Sequence, residues 1–353
     1  MMNLRRLLGV SVLGFAALLG LSAHAAPKKT FDVCWTIYAG WMPWDYAQTS
    51  GIVSKWAKKY GIEIKVTQLN DYVESINQYT AGKFDGCTMT NMDALTIPAA
   101  GGVDSTALIV GDYSSGNDGI VLKGAGKTVK DLKGLDVNLV ELSVSHYLLA
   151  RALQSAGLSE KDVKVVNTSD ADIVAAFATP KVKAAVAWNP QLSEIKAAPG
   201  STLVFDSSKI PGEILDLMVV NTATLKDNPA LGKALTGAWY EVMALMKAKN
   251  AAALTHMAKA SGTDLPGYEA QLKTTAMYYT AADATKFTTS ADLPAIMKRV
   301  SQFSFEKGLL GDGAKSADAI GVAFPGGKTN GNAKNVKLRF DASYMQLAAE
   351  GKL

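Results

Sequence analysis

The chain has 353 residues, of which 48% are hydrophobic, 19% charged and 8% aromatic. That composition supplies ample core and excludes a disordered or fibrous chain, and the length points to two or more lobes. The 36 basic and 32 acidic residues give a net charge of +4, and removing Arg5 and Arg6 with an expected leader leaves +2. A balance so near neutral gives no argument for nucleic acid or for an anionic membrane surface.

The leader comes first. A short basic start, Met1 to Arg6, precedes an unbroken apolar run from Leu7 to Leu21, and Ala23-His24-Ala25 then offers small residues at the positions a signal peptidase reads. The run of 15 residues falls short of the ~20 needed to span a bilayer, and no cysteine sits at the cleavage point for lipid attachment. The sequence predicts an exported protein, cleaved near Ala25/Ala26 and therefore periplasmic.

From Phe31 to Asp206 short β-rich runs alternate with amphipathic helical stretches. Phe31–Ile37 reads as a strand, Trp44–Tyr60 as a helix stopped by Gly61, Ile62–Thr67 as a strand and Tyr72–Ala81 as a helix stopped by Gly82. Gly86–Thr90, Met92–Ala100 and Thr106–Val110 continue as strand, helix, strand. After Gly119–Leu122 the rhythm resumes with strands at Leu135–Val140, Val163–Asn167, Ala184–Ala187 and Leu203–Phe205, and helices at Ser145–Ala156 and Ala171–Ala178. This alternation predicts parallel βαβ layers. Leu215–Asn221 is a second apolar run, and beyond it the pattern is helical at Asn228–Lys249, Ala251–Ser261, Gly267–Thr275 and Asp292–Lys307. Gly321–Asn335 reads as a surface loop and Arg339–Gly351 as a terminal helix.

The expected architecture is therefore α/β, with two lobes, a cleft and a hinge of two crossings at Gly119–Leu122 and Leu215–Asn221. In residues, 1–25 is the leader, 26–118 with 222–353 the first lobe, and 119–221 the second lobe including the crossings. Cys34 and Cys87 fall in strand-like stretches, where a disulfide between neighbouring strands and a pair of buried thiols both fit. Two cysteines at this spacing make no zinc site, and no metal or cofactor is implied.

Chemistry-bearing motifs are scarce. There is no G-x-G-x-x-G after a strand, no G-x-x-x-x-G-K-[ST] and no G-x-S-x-G. Two histidines remain after export: His256, in an alanine-rich helix, and His146, at a helix start from which it could approach a cleft. What stands out is the residues just past the strands. Trp41, Trp44 and Asp45 follow the first strand, Asn91 and Asp93 the Gly86–Thr90 strand, Glu141 and Ser143 the Leu135–Val140 strand, and Trp188 and Asn189 the Ala184–Ala187 strand, while Asp216 lies in the second crossing. Ligands of open α/β sheets bind beyond the carboxyl ends of strands, so these positions are expected to converge on one cleft. Each also has a plainer role open to it: Asp45 and Asp93 as acids at helix starts, Ser143 and Ser145 as N-caps, Trp44 and Trp188 as core.

At Asp131–Val137, Gly157–Val163 and Trp188-Asn189-Pro190 the chain resembles periplasmic substrate-binding proteins of ABC importers, of the nitrate/sulfonate/taurine and thiamine-precursor type. More narrowly, Ser143–Leu149 and Ser208–Asp216 resemble the binding proteins linked to urea carboxylase, an enzyme often viewed as acting on guanidine. The resemblance implies a type II periplasmic-binding-protein fold, a small ligand caught between closing lobes, permease and ATPase partners, and no catalysis. Anion sites use Arg, Lys or free backbone N–H groups, whereas the strand ends here offer Asp, Glu, Asn and Trp. That set suits a small planar cation or an amide, guanidinium or urea. Competing readings are a same-fold enzyme of the thiamine-pyrimidine type, and a binding protein for another small amine, amide or sulfonate.

Overall fold

The computed structural model describes residues 28–353; the expected leader lies outside the described residues. Among the described residues fourteen strands build two sheets. In chain order they are β1 (Thr30–Thr36), β2 (Glu63–Leu69), β3 (Gly86–Thr90), β4 (Ser105–Ser114), β5 (Asp118–Lys123), β6 (Asp136–Leu139), β7 (Lys164–Asn167), β8 (Ala184–Trp188), β9 (Ser201–Asp206), β10 (Leu215–Asn221), β11 (Thr275–Met277), β12 (Gly321–Ala323), β13 (Thr329–Asn330) and β14 (Val336–Phe340). The first sheet runs β13-β12-β14-β4-β10-β3-β1-β2, with β11 added beside β4, and the second runs β7-β6-β8-β5-β9. Pairing is parallel where helices intervene, as in β1–β2, β1–β3 and β6–β7, and antiparallel where the chain crosses between lobes and returns, as in β10 with both β3 and β4.

The two apolar runs expected as crossings each lie wholly inside one sheet: Gly119–Leu122 within β5, and Leu215–Asn221 as β10, between β3 and β4. The crossings are the short segments beside them, 115–117 and 207–214. Apolar β runs bury best inside a ladder, which leaves the polar Ser-Gly-Asn and Ser-Lys segments to span the lobes. Ser207 ties the two crossings together. Its hydroxyl accepts from the Gly116 N–H at 2.7 Å and lies 2.6 Å from the Ser114 hydroxyl.

Local chemistry moves several boundaries. The helix expected over Trp44–Tyr60 is two, Met42–Thr49 and Ile52–Lys59, because Gly51 adopts φ +80° between them. The expected Gly321–Asn335 loop contains β12 and β13, and the terminal element is β14 followed by a helix at Ser343–Ala349. A helix at Ala281–Thr288, capped by Thr280, has no counterpart among the expected elements. Cys34 and Cys87 are directly opposite each other on β1 and β3 and form a disulfide.

The helical return packs on the first sheet's lobe. Pro229–Lys247 lies against Ile52–Lys59 so closely that a Cβ at Gly237 would meet the Trp56 ring within 2.5 Å, and this contact requires glycine. Trp44, on Met42–Thr49, packs against Trp239 of the same long helix with ring centroids 5.1 Å apart.

Candidate ligand-binding site

The lobes are closed upon each other, and hydrogen bonds to main-chain groups join them. The Ala39 N–H donates to the Asn189 carbonyl at 3.1 Å, the Trp188 indole N–H to the Ile37 carbonyl at 3.2 Å, and the Tyr72 N–H to the Asp170 carboxylate at 3.1 Å. Between them lies a small cavity, with room for about one water molecule. From the first lobe it is walled by Tyr38, Trp41, Tyr72, Thr90 and Asp216, from the second by Val144, Trp188 and Asp118 at the start of β5, and at a crossing by Ile214.

Four aromatic rings form its cage. Tyr38 and Trp41 belong to the tight turn that leaves β1, where the Trp41 N–H returns to the Tyr38 carbonyl. Their rings meet edge to face at 5.0 Å. Tyr72 opens the helix Tyr72–Thr80, whose N-cap Asp71 accepts from the Glu74 N–H. Its ring lies 5.8 Å from Trp41 and 5.4 Å from Trp188, which ends β8 in the opposite lobe. The Tyr72 hydroxyl is fixed by donating to Asp93 at 2.7 Å and accepting from the Thr90 N–H at 2.9 Å. The Trp41 indole N–H is buried and has no acceptor.

Beneath the rings sit four buried carboxyls: Asp93, Asp112, Asp118 and Asp216, none more than 3% exposed. Asp112 on β4 and Asp216 on β10 are directly opposite each other in the antiparallel ladder. The Tyr38 hydroxyl donates to Asp112 at 2.8 Å, and the Ser114 hydroxyl to Asp118. Among the described residues no lysine, arginine or histidine forms an ion pair with any of the four. Burial dominates their titration. It raises Asp93 to about 6 and Asp118 to about 7, and Asp112 to about 7 despite its bond from Tyr38. Asp216 is raised well above the ordinary carboxyl range, first by burial and then by the charges of Asp112 and Asp118. One of its oxygens has no hydrogen-bond partner. A cage of aromatic faces over uncompensated carboxylates attracts a cation electrostatically and can accept its N–H groups.

Of the residues expected at the site, Trp41, Trp188 and Asp216 line the cavity, and Asp93 stands one layer back, holding Tyr72. Asn91 lies nearby but is committed to the backbone, accepting from the Leu215 N–H at 3.0 Å and donating to the Glu213 carbonyl at 3.1 Å, which anchors β10. Asn189 likewise meets the other lobe through its carbonyl, while its side chain bonds Ser193 and Thr274.

The rest do not converge. Trp44 is core, and Asp45, partly buried on the helix face turned to Ala251–Ala260, pairs with His256 at 2.7 Å. Ser143 caps the helix Val144–Ser155. Glu141 is exposed at the turn that Leu142 makes with φ +62°. His146 accepts from the Leu142 N–H at Nδ1 and meets Glu160 at Nε2, 2.6 Å away. Burial first, then the charge of Lys307, holds the His146 pKa below its usual value. The expected convergence of Asp45 and Glu141 with Asp216 therefore fails, because Asp45 is drawn to the neighbouring helix by His256 and Glu141 is carried into solvent.

Sequence reasoning missed Tyr38, Tyr72, Thr90, Asp112 and Asp118. A usable signal existed for the two acids: Asp112 ends the apolar run Ala107–Val110 and Asp118 begins Gly119–Leu122. A carboxyl inside a buried β run is costly unless something compensates it.

Two α/β sheets closed over a small caged cavity, joined by two short crossings, define a two-lobed ligand-binding architecture. The chain belongs to the NMT1/THI5-like family, whose description matches residues 54–253, a span that includes Tyr72, Asp112, Asp118, Trp188 and Asp216 but not Tyr38 or Trp41. It is similar to a Brucella abortus (strain 2308) protein named as a binding protein, 35% identical over 104 residues, covering 29% of this chain and 31% of that one. An Escherichia coli (strain K12) protein named as aliphatic sulfonates-binding is 29% identical over 140 residues, 40% of this chain and 44% of that one. The matches thus span less than half the length of these curated relatives. Among solved structures, the alkanesulfonate-binding protein of Xanthomonas axonopodis pv. citri, bound to MOPS, superposes with a TM-score of 0.68 at 19% identity, over 82% of this chain and 96% of that one. That likeness carries the fold, and no ligand with it.

Proposed function

We propose that this protein is the extracytoplasmic solute-binding component of an ABC importer, and that it captures a small planar cation, guanidinium in preference to urea. The reading is of an exported, periplasmic monomer that hands its ligand unchanged to a membrane permease and ATPase, with no enzymatic step. The observation that carries the ligand class is Asp216, a buried carboxyl with an unpartnered oxygen in a cavity walled by Tyr38, Trp41, Tyr72 and Trp188 and lined by no lysine, arginine or histidine. A sulfonate or nitrate placed there would meet carboxylates and ring faces, both of which repel an anion. A guanidinium ion donates paired N–H bonds to a carboxylate while its face rests on an indole. The unpartnered Trp41 N–H favours a second reading, a neutral ligand with a carbonyl acceptor such as urea.

Calorimetric titration separates these. Guanidinium is expected to bind more tightly than urea, and nitrate, taurine and MOPS not at all, with the ligand recovered unchanged after long incubation and the protein more compact by solution scattering. Tight binding of a sulfonate or nitrate would overturn the charge preference, and steady product formation would overturn the binding role.

A further inference from the structure

We propose that Asp112, which stands one layer behind the cavity, makes Asp216 a proton-for-cation exchange site: the pair shares one proton when the cavity holds no cation, and releases it to solvent when a cation enters. The proposal rests on the cation reading of the same cavity and adds to it a stoichiometry and a residue that does not line the cavity. Asp112 and Asp216 are cross-strand partners on β4 and β10 in the middle of the first sheet, 0% and 3% exposed. Like charges directly opposite on adjacent strands repel, and burial removes the water that would screen them. A shared proton resolves the conflict in the empty site, and a cation resolves it in the filled one. Charge balances: the singly protonated pair carries −1, and the pair with the cation bound and the proton gone carries −2 + 1 = −1 again.

Among the described residues no other group nearby can neutralise the pair. From the turn after β1, Tyr38 donates its hydroxyl to Asp112. Tyr268, on the helix Leu265–Leu272, and Tyr278 and Tyr279, after β11, also feel the Asp112 charge, and burial raises all three tyrosine pKa values so that they stay neutral. The start of β5 contributes Asp118, a further acid that pushes both carboxyls up. Asp216 faces Thr90 on β3, and the same register places Tyr113 beside Asp112 on β4. Burial lifts Asp112 to about 7 and Asp216 further, so the shared proton is held near neutral pH.

The test is calorimetry of guanidinium chloride binding to the whole mature protein at about pH 7, in buffers of different ionisation enthalpy, with Asp112→Asn as the variant. The amide keeps an acceptor for Tyr38 and can donate to Asp216, so near-ultraviolet circular dichroism should report an unchanged fold. The wild type is expected to release about one proton more per bound ion than the variant. Its affinity should weaken by up to tenfold per unit fall in pH for that proton, and the variant's by less. Independently of any ligand, the infrared carbonyl band of a protonated carboxyl should be present in the empty wild type and reduced in Asp112→Asn. Equal proton release by the two proteins overturns the exchange. Failure of every cation to bind overturns the proposed ligand class instead, and the infrared band then decides the shared proton by itself: an unchanged or absent band overturns it.

Discussion

Glu213 and Asp216 stand three residues apart where the chain re-enters the first sheet, both buried, and they have opposite surroundings. Glu213 is clasped by the Tyr147 hydroxyl and by Arg151 through Nε and Nη2 at 2.9 and 3.1 Å, both from the helix Val144–Ser155, and is approached by Arg299 from Asp292–Glu306 at 3.5 Å. Burial pulls its pKa upward, but the Arg151 and Tyr147 bonds and the arginine charges outweigh it and leave the carboxyl below its usual value. Asp216 has burial first and then the like charges of Asp112 and Asp118, which outweigh the lowering bond from Tyr38, and it moves the other way. A compensated buried carboxylate holds the lobes together, and an uncompensated one marks a place kept for something else.

The pH dependence of stability separates the two with the largest effect. For the raised aspartates the folded chain holds more protons than the unfolded chain between the ordinary carboxyl range and about pH 7, so stability falls as pH rises through that window. Asp118 alone, moved from 3.8 to about 7, contributes on the order of 4 kcal/mol across it. Glu213 has the opposite sign, with a contribution present above its unfolded value and lost as pH falls through the folded one. Melting temperature of the cation-free protein should therefore decline from about pH 5 to about pH 8, and millimolar guanidinium should flatten the decline. A cation-free profile that rises over that range would mean the acids are compensated.

Glu213→Gln is expected to cost about 2–3 kcal/mol of stability, somewhat below a fully buried pair because Arg151 is 29% exposed, and melting should report it. Asp216→Asn should do the reverse to the empty protein, leaving it unchanged or more stable near pH 8. The same substitution should weaken guanidinium by ~1.5–3 kcal/mol, and urea by less, in calorimetry. If both substitutions destabilise alike, the contrast between the two carboxyls is only apparent. The smallest effects are expected at Asp45→Asn and Glu141→Gln, both away from the cavity: stability changes within ~0.5–1 kcal/mol and guanidinium affinity unchanged. A clear loss of binding in either would place the site elsewhere.

Legibility of the site divided along the same line. Trp41, Trp188 and Asp216 were reachable from sequence because two sit at strand ends and the third interrupts an apolar strand. Asp45 and Glu141 share those positions and do not share the outcome. Each strand end leads into a turn, and the direction of that turn depends on its neighbours. Asp45 lies on the helix face turned to Ala251–Ala260, where His256 receives it, and Glu141 precedes a left-handed turn that carries it into solvent. Tyr72 reaches the cavity from the start of a helix some 30 residues downstream of Trp41 in the chain, and no local pattern announces that.

By itself the sequence determined the alternation of strand and helix, the two-lobed α/β class, and the acids, amides and tryptophans just past several strands, because periodicity and residue chemistry act over short stretches of chain. Only the tertiary structure decided which apolar runs became strands and which short polar segments became crossings, that Cys34 and Cys87 face each other, and that Asp112 lies opposite Asp216 beneath four aromatic rings. Those outcomes depend on ladder register and on the packing of residues far apart in the chain, 53 positions for the two cysteines, where a shift of one residue turns a buried carboxyl from the cavity to the other face of the sheet.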